Sequence, residues 1–427
     1  MAPPTTIFPT QEREVYIVKE AVPGTVPAST SWSPFPVTSI KPSDKPMMLY
    51  DESFQGSMGD SYGAYQGPLI ASIDIGGNFY GDVFGHLPLN LLGDYTVSGT
   101  AASPAAVTNA PIALGATTLA VASGGASFTT GMYLWLEDAG TPAANEVVMV
   151  TATGSATSIP VTATRFAHLT ATPFTNTTAP YTHVFALLNG LTGAANGAAQ
   201  GPTHALIDRT GIPATGLAAE YSYVCFSDLV ITASAEKLLT WTAKATCQVR
   251  QIPGSAIGTV NVSSVQTYPA WRSVFGVGGP ASGGTQIKDY AEYALTMSRA
   301  VKAYNTLQGS QSPYVIARGK QSNASKLTIA PAIDESALTA LLANTQPQHQ
   351  LVSTNGLSAG SLVSLQADSL LNAYETADIN DGSELFGYDI AAKLQHTAAS
   401  SGGITMTGAS GGKGAVKLTL INAVPSY

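Results

Sequence analysis

Residues 221–249 read YSYVCFSDLVITASAEKLLTWTAKATCQV. Tyr223, Cys225, Leu229 and Ile231 fall on one face of an extended strand. A turn follows through Ala233, Ser234, Ala235 and Glu236. On the return, Leu239, Trp241, Ala243, Ala245 and Cys247 share one face, and Thr240, Thr242, Lys244, Thr246 and Gln248 the other. Alternation of period two over this length predicts an antiparallel hairpin with one buried face.

The return strand has an echo. Leu385 to Gln395 lies in register with Leu238 to Gln248, and Phe386, Tyr388, Ile390, Ala392 and Leu394 repeat the apolar face. Asn380, Asp381 and Gly382 supply a turn just before it. Other pieces echo in the same order. Tyr50 precedes Phe54-Gln55-Gly56-Ser57, as Tyr304 precedes Leu307-Gln308-Gly309-Ser310. Strands follow, with Leu69, Ala71, Ile73 and Ile75 in one and Ser325, Leu327 and Ile329 in the other. Short helical patterns come next. Asp82 leads Val83, Leu87, Leu91 and Leu92, and Asp334 leads Leu338, Leu341 and Leu342. Aspartate is a preferred N-cap and the leucine spacing gives one apolar stripe; Pro88 weakens the first helix. Strands ending in Asn189-Gly190 and Asn355-Gly356 follow. The order strand, helix, strand, hairpin thus occurs twice, which predicts a duplicated β-rich unit.

Four short strands with glycine turns (118–122, 133–137, 146–151, 158–162) lie between the first helix and the strand at His183. They predict a small β-domain inserted over 99–180. The predicted organisation is an extended arm over 1–48 with one strand at 14–20, a first unit over 49–98 and 181–249, and the insertion. A linker over 250–264 and a second unit over 265–427 complete it. A chain of 427 residues suffices for two or three domains, each with its own core.

Only 11% of the residues are charged, against roughly 25% in an average soluble protein. Such a surface predicts extensive contact with other protein, although extracellular β-rich proteins share this composition. The net charge is -8 and no basic run exists, which argues against a dedicated nucleic-acid binder. Cys225 and Cys247 are expected as buried thiols. No signal peptide is visible and no stretch of 18 apolar residues occurs, so no membrane span is expected.

Catalytic motifs fail on context. Gly408-Ala409-Ser410-Gly411-Gly412 matches a nucleophile elbow but lies in a Gly-rich loop before a strand. Gly412-Lys413 lacks the leading glycine and the Ser/Thr of a phosphate loop. Gly276-Val277-Gly278 reads as a turn, and Asp334-Glu335 as a helix start. His86, His168, His183, His204, His349 and His396 show no metal-pair spacing. No enzyme, cofactor or metal is expected.

Three stretches resemble the major tail tube proteins of long-tailed bacteriophages, those of actinobacterial phages in particular. The first is Val18-Lys19-Glu20-Ala21-Val22-Pro23-Gly24-Thr25. The second is Phe54-Gln55-Gly56-Ser57 with its strand and the run Asp82 to Asp94. The third is Leu307 to Tyr314 with Asn344-Thr345-Gln346-Pro347. The resemblance implies β-sandwich or barrel units with a flanking helix, joined in rings that stack around a DNA channel in the virion tail, after assembly in the host cytoplasm. It implies no catalytic residues. Partners would be further copies of the chain, with three chains in pseudo-sixfold symmetry or six chains per ring. The tape measure, tail terminator and tail tip proteins would be others, and DNA would pass without specific binding. The candidate channel lining is Thr240, Thr242, Lys244, Thr246 and Gln248. Rival readings are a capsid or decoration protein, or an extracellular adhesin or carbohydrate-binding module.

Overall fold

The computed structural model describes residues 13–427 apart from 28–31, 54–60, 100–103, 138–143, 177–180, 189–199, 211–216, 253–266, 282–284, 308–310, 330–335, 356–363, 370, 381–386, 397–413 and 423. Phe54 to Ser57, Asn189-Gly190, Gln308 to Ser310, Asp334-Glu335, Gly356, Asp381-Gly382, Leu385-Phe386, Gly408 to Lys413 and residues 253–264 of the linker lie outside these.

The first elements are β1 (Arg13–Lys19), β2 (Ser33–Pro34), β3 (Ser39–Asp51), β4 (Gly63–Asn78), α1 (His86–Leu92) and β5 (Gly93–Ser98). Six short strands follow: β6 (Ala105–Val107), β7 (Thr118–Ala120), β8 (Tyr133–Leu136), β9 (Glu146–Met149), β10 (Ser158–Pro160) and β11 (Pro173–Asn176). Next come β12 (Tyr181–Leu187), β13 (His204–Thr210), β14 (Leu217–Ser234) and β15 (Thr240–Cys247). The rest are β16 (Val274–Val277), β17 (Gln286–Ile287), β18 (Tyr290–Tyr304), β19 (Val315–Ile329), α2 (Ser336–Leu342), β20 (His349–Thr354), β21 (Ser364–Ser369), β22 (Asn372–Asn380), β23 (Gly387–Leu394) and β24 (Val416–Asn422).

The chain is mainly β, and all its strand pairs are antiparallel among the described residues. Eight strands form one continuous ladder in the order β3-β4-β15-β14-β18-β19-β23-β22. A second sheet runs β17-β16-β20-β21-β24-β12-β5. Among the described residues no sheet closes into the barrel that the resemblance implied, and the two halves do not separate into two self-contained units. One apolar cluster joins the two sheets: Ile73 and Ile75 of β4, Leu229 and Ile231 of β14, Leu295 of β18, Leu327 of β19, Phe185 of β12 and Leu418 of β24 all belong to it. This corrects the expectation of a separate core for each half. The reason is the path of β24, which pairs with β21 on one side and with β12 on the other. The second half thereby completes the sheet that begins in the first.

Strand β14 changes partners along its length. Its first part pairs with β13, up to Val224 opposite His204. Its second part pairs with β15 from Cys225 onward and with β18 from Asp228. A bulge between Phe226 and Asp228 shifts the alternation by one residue. Phe226 therefore joins Leu229 and Ile231 in the main core. Tyr223 and Cys225, expected on that same face, instead pack with Ile316, Val301 and Ala303 in a smaller cluster. Tyr223 takes a left-handed φ of 55°, and its N–H donates to the Glu20 carboxylate at 2.8 Å. Glu20 also accepts from Gly24 N–H and the Thr203 hydroxyl; these bonds offset part of the burial that raises its pKa. Strand β1, expected in an extended arm, is core: Tyr16 and Ile17 are fully buried against β13.

Helix α1 lies between the sheets with every residue buried. Asp82 does not cap it; the N-cap position is Gly85 and no side chain bonds there. Pro88 sits in the first turn, where the missing N–H has no intrahelical partner to lose. Gly93 ends the helix with φ 84°. A Cβ there would also stand 2.9 Å from Gly201 Cα, so two constraints select glycine.

The stretch from 105 to 176 has a core of its own, built on Leu119, Phe128, Leu134, Val148, Ile159 and Phe174. The sheets β6-β11-β8-β9 and β10-β7 enclose it. The buried Glu146 carboxylate receives the Arg165 and Phe166 N–H groups and meets His168 Nε2 at 2.8 Å. Strands β6 and β11, which the sequence reading missed, are three and four residues long. The chain leaves and re-enters the main body at neighbouring points, because Ser98 of β5 pairs with Thr182 of β12. Replacing 101–178 by a short Gly/Ser loop would leave a simple hairpin. The trimmed chain is expected to stay soluble, with its main melting transition within about 4 °C of the intact chain, a shift equivalent to roughly 1 kcal/mol or less. Calorimetry checks this, and loss of the main transition would show that the insertion supports the sheets.

Burial pushes His86 and His349 down to about 3 from an ordinary 6.5, aided at His86 by Lys19. His204 lies well below its ordinary value and His183 is lowered, again chiefly by burial. The unfolded chain binds protons at these rings below pH 6.5 while the folded chain does not. Their stabilising effect is therefore complete above pH 6.5 and is lost as pH falls toward 3. Each ring can remove up to about 1.4 kcal/mol per pH unit in that window. The melting temperature is expected to drop steadily between pH 7 and 5 in a calorimetric pH series; a flat profile would contradict the neutral, buried rings.

Candidate assembly surface

The eight-strand ladder, part of an 11-stranded sheet that also holds β13, β1 and β2, has one face in the core and one outside. On β15, Trp241, Ala243, Ala245 and Cys247 are buried, Thr240 and Thr246 are half-buried, and Thr242 and Lys244 are exposed. The expected polar face is thus solvent-facing along β15. Gln248 departs from it: it follows the strand and its side-chain carbonyl accepts from Ser222 Oγ at 2.8 Å.

Cross-strand register extends this face over neighbouring strands. Lys41, Asp74, Lys244, Asp228 and Ser298 form one row across five strands. Charges alternate along it, and Asp228 accepts from Ser298 Oγ at 2.6 Å. On the β19 side Lys326 lies 3.4 Å from Asp389, which also accepts from Thr328 Oγ1. Cationic and anionic groups are interleaved among Ser and Thr, so opposite charges face each other across strands. Such a surface holds water well and offers phosphates no run of cations.

Several registers within the set β3-β4-β15-β14 recur within the set β18-β19-β23-β22. Cys247 stands opposite Ala71 as Leu394 stands opposite Asn323. The bulge between Phe226 and Asp228 falls against Ala245 and Lys244; that between Tyr374 and Thr376 falls against Ala392 and Ala391. Pro46 and Met48 face Leu69 and Gln66 around a shift, as Arg299 and Val301 face Gln321 and Arg318. Tyr223 before the first bulge and Leu371 before the second are both left-handed, with φ 55° and 47°. Helix α1 packs on β14 and α2 packs on β22.

Where the sets meet, β14 pairs with β18 from Asp228 opposite Ser298 to Ser234 opposite Glu292. Behind this junction the second set sends two arginines into the first. Arg299 Nη1 donates to Leu91 O at 3.0 Å. Arg318 donates to Asn90 Oδ1, Gly201 O and Pro202 O at 2.8 to 3.0 Å. Burial lowers both guanidinium values, that of Arg299 to about 10. Asn90 Oδ1 also accepts from Phe226 N–H, and Asn90 Nδ2 reaches Val224 O and His204 Nδ1. It thus satisfies the backbone of β14 where that strand leaves β13.

Among the described residues the far ends of the ladder are open: β3 and β22 each have a partner on one side only. The outer part of β3 exposes Met47, Met48, Leu49 and Tyr50 at 41–60%, with Tyr65 of β4 at 65%. The folded chain also brings His86 and His204 to 3.3 Å, a pair hidden by the sequence distance between them. Among the described residues no group of His, Cys, Asp or Glu could hold a metal ion. Both cysteines are buried free thiols. A scan against protein-family models finds no match, and a search of curated proteins finds no similar sequence.

Proposed function

We propose that the chain is a structural subunit of a bacteriophage tail tube, assembling with copies of itself into stacked rings around a channel through which DNA passes. The observation that carries this reading is the ladder of two four-strand sets with the same registers and bulges, continuous inside and open at both ends. We read the sets as two copies of one unit. A head-to-tail array of such units closes if the contact between sets recurs between chains. Three chains then fill six positions, and the polar face carrying Thr240, Thr242, Lys244 and Thr246 lines the channel. The tape measure, terminator and tip proteins would meet the tube ends. Negative-stain electron microscopy of the purified chain is expected to reveal hollow rods or rings; solid or monomeric particles at all concentrations would overturn the reading.

A channel for passing DNA must not grip it. The alternating charges of the proposed lining predict duplex binding at only weak non-specific levels, roughly 10⁻⁴ M or poorer at physiological salt. Tight binding with a steep salt slope in a fluorescence titration would contradict this lining.

A further inference from the structure

We infer that the open edge of β22 receives the β3–β4 hairpin of a second copy of this chain in a defined register, through a seam that lacks the buried arginines of the internal junction and buries Met48 and Tyr50 instead. The inference rests on the ring reading above and specifies its contact between chains.

The internal junction is the template. Carrying its pairs across the matching registers sets Thr376 of β22 opposite Lys45 of β3 in the next copy, where Asp228 faces Ser298 within the chain. Asp378 falls opposite Ser43, as Val230 falls opposite Thr296. Asp378 then lies diagonally between Lys41 and Lys45. All three are exposed in the single chain, as is Glu375, so the two edges carry complementary charge.

The seam behind the edge differs in chemistry. Val301 and Ala303 pack against Tyr223 and Cys225 inside the chain. Their counterparts are Met48 and Tyr50, which are 41% and 60% exposed, and the counterparts of Tyr223 and Cys225 are Leu371 and Ala373. Arg299 and Arg318 correspond to Pro46 and Gln66. On the receiving side, the fifth residue of the helix is Asn90 in α1 and Ala340 in α2. Both halves of the buried polar cluster are thus missing together at the open ends. A guanidinium waiting for a partner chain would need its acceptors from another molecule; Met48, Tyr50 and the 79% exposed Leu342 need only surface to bury. Pro42 and Pro46 remove amide donors from β3, which discourages pairing with arbitrary strands and leaves selection to side chains.

Disulfide trapping tests the register in the full-length chain, whose own cysteines are both fully buried. Lys45→Cys with Thr376→Cys, and Ser43→Cys with Asp378→Cys, are expected to give covalent dimers and trimers on mild oxidation. Lys41→Cys with Thr376→Cys is the control, displaced by four residues or about 13 Å along the strand. The matched pairs should exceed it roughly tenfold, since a disulfide needs Cα atoms within about 7 Å. Equal yields from matched and control pairs, or no covalent oligomer from either matched pair, would overturn the inference. Matched trapping in particles that are not hollow would leave the seam standing and sink the tube.

Discussion

Asn90→Leu is expected to destabilise the chain by at least about 3 kcal/mol, because it strands several buried polar groups at once. The Asn90 amide serves Phe226 N–H, Val224 O, His204 Nδ1 and Arg318 Nη2. Leucine has similar bulk and none of these bonds. Each unpaired buried group costs about 1–3 kcal/mol, and Arg318 carries a charge. Two of the groups belong to β14 where it passes from β13 to β15, so the damage falls on the strand that joins the β1–β13 pair to the ladder. Urea denaturation measures the loss. A change below about 1 kcal/mol would mean that water replaces the amide, and that β14 needs no such support.

The second large effect is on assembly. Met48→Asp with Tyr50→Asp is expected to leave the monomer as stable as before, within about 0.5 kcal/mol, since both positions are exposed. Assembly should fall by far more. Fully burying such side chains contributes about 1.5–3 kcal/mol each, and a buried carboxylate adds a penalty. A loss of about 3 kcal/mol per junction weakens each contact more than a hundredfold, and a closed ring has several. Sedimentation velocity is expected to find monomer at concentrations where the proposed rings of the parent chain form. Rings at the parent concentration would show that the hairpin tip faces solvent in the assembly.

The alternation of β15 was legible because the strand has one wet and one dry face. The echo between 238–248 and 385–395 reflects the same alternation: Trp241, Ala243, Ala245 and Cys247 are buried on β15, as Ile390, Ala392 and Leu394 are on β23. The echo at Tyr50 was off by one. The ladder puts Tyr50 opposite Ala64 and Ala303 opposite Ile316, and sets Asp51 against Gly63 as Tyr304 against Val315. Bulges that shift register leave no mark in local sequence, which is also why Tyr223 and Cys225 were assigned to the wrong cluster. The shared core was invisible because it depends on β24 crossing to β12, a contact between distant segments. Arg299 did leave a signal. It occupies the apolar phase of β18 after Tyr293, Leu295 and Met297, and a cation in that phase marks a buried polar junction. Asn90 left none, since every acceptor and donor it serves lies on β13, β14 or β19.

The most direct test of the account is the mass of a single ring together with its rotational symmetry. Scanning transmission measurements on end-on particles should give three full-length chains per ring, with sixfold features at low resolution and threefold symmetry once the 105–176 insertions are visible. Six full-length chains in one ring, or a ring without threefold symmetry, would contradict the two-sets-per-chain reading of the ladder.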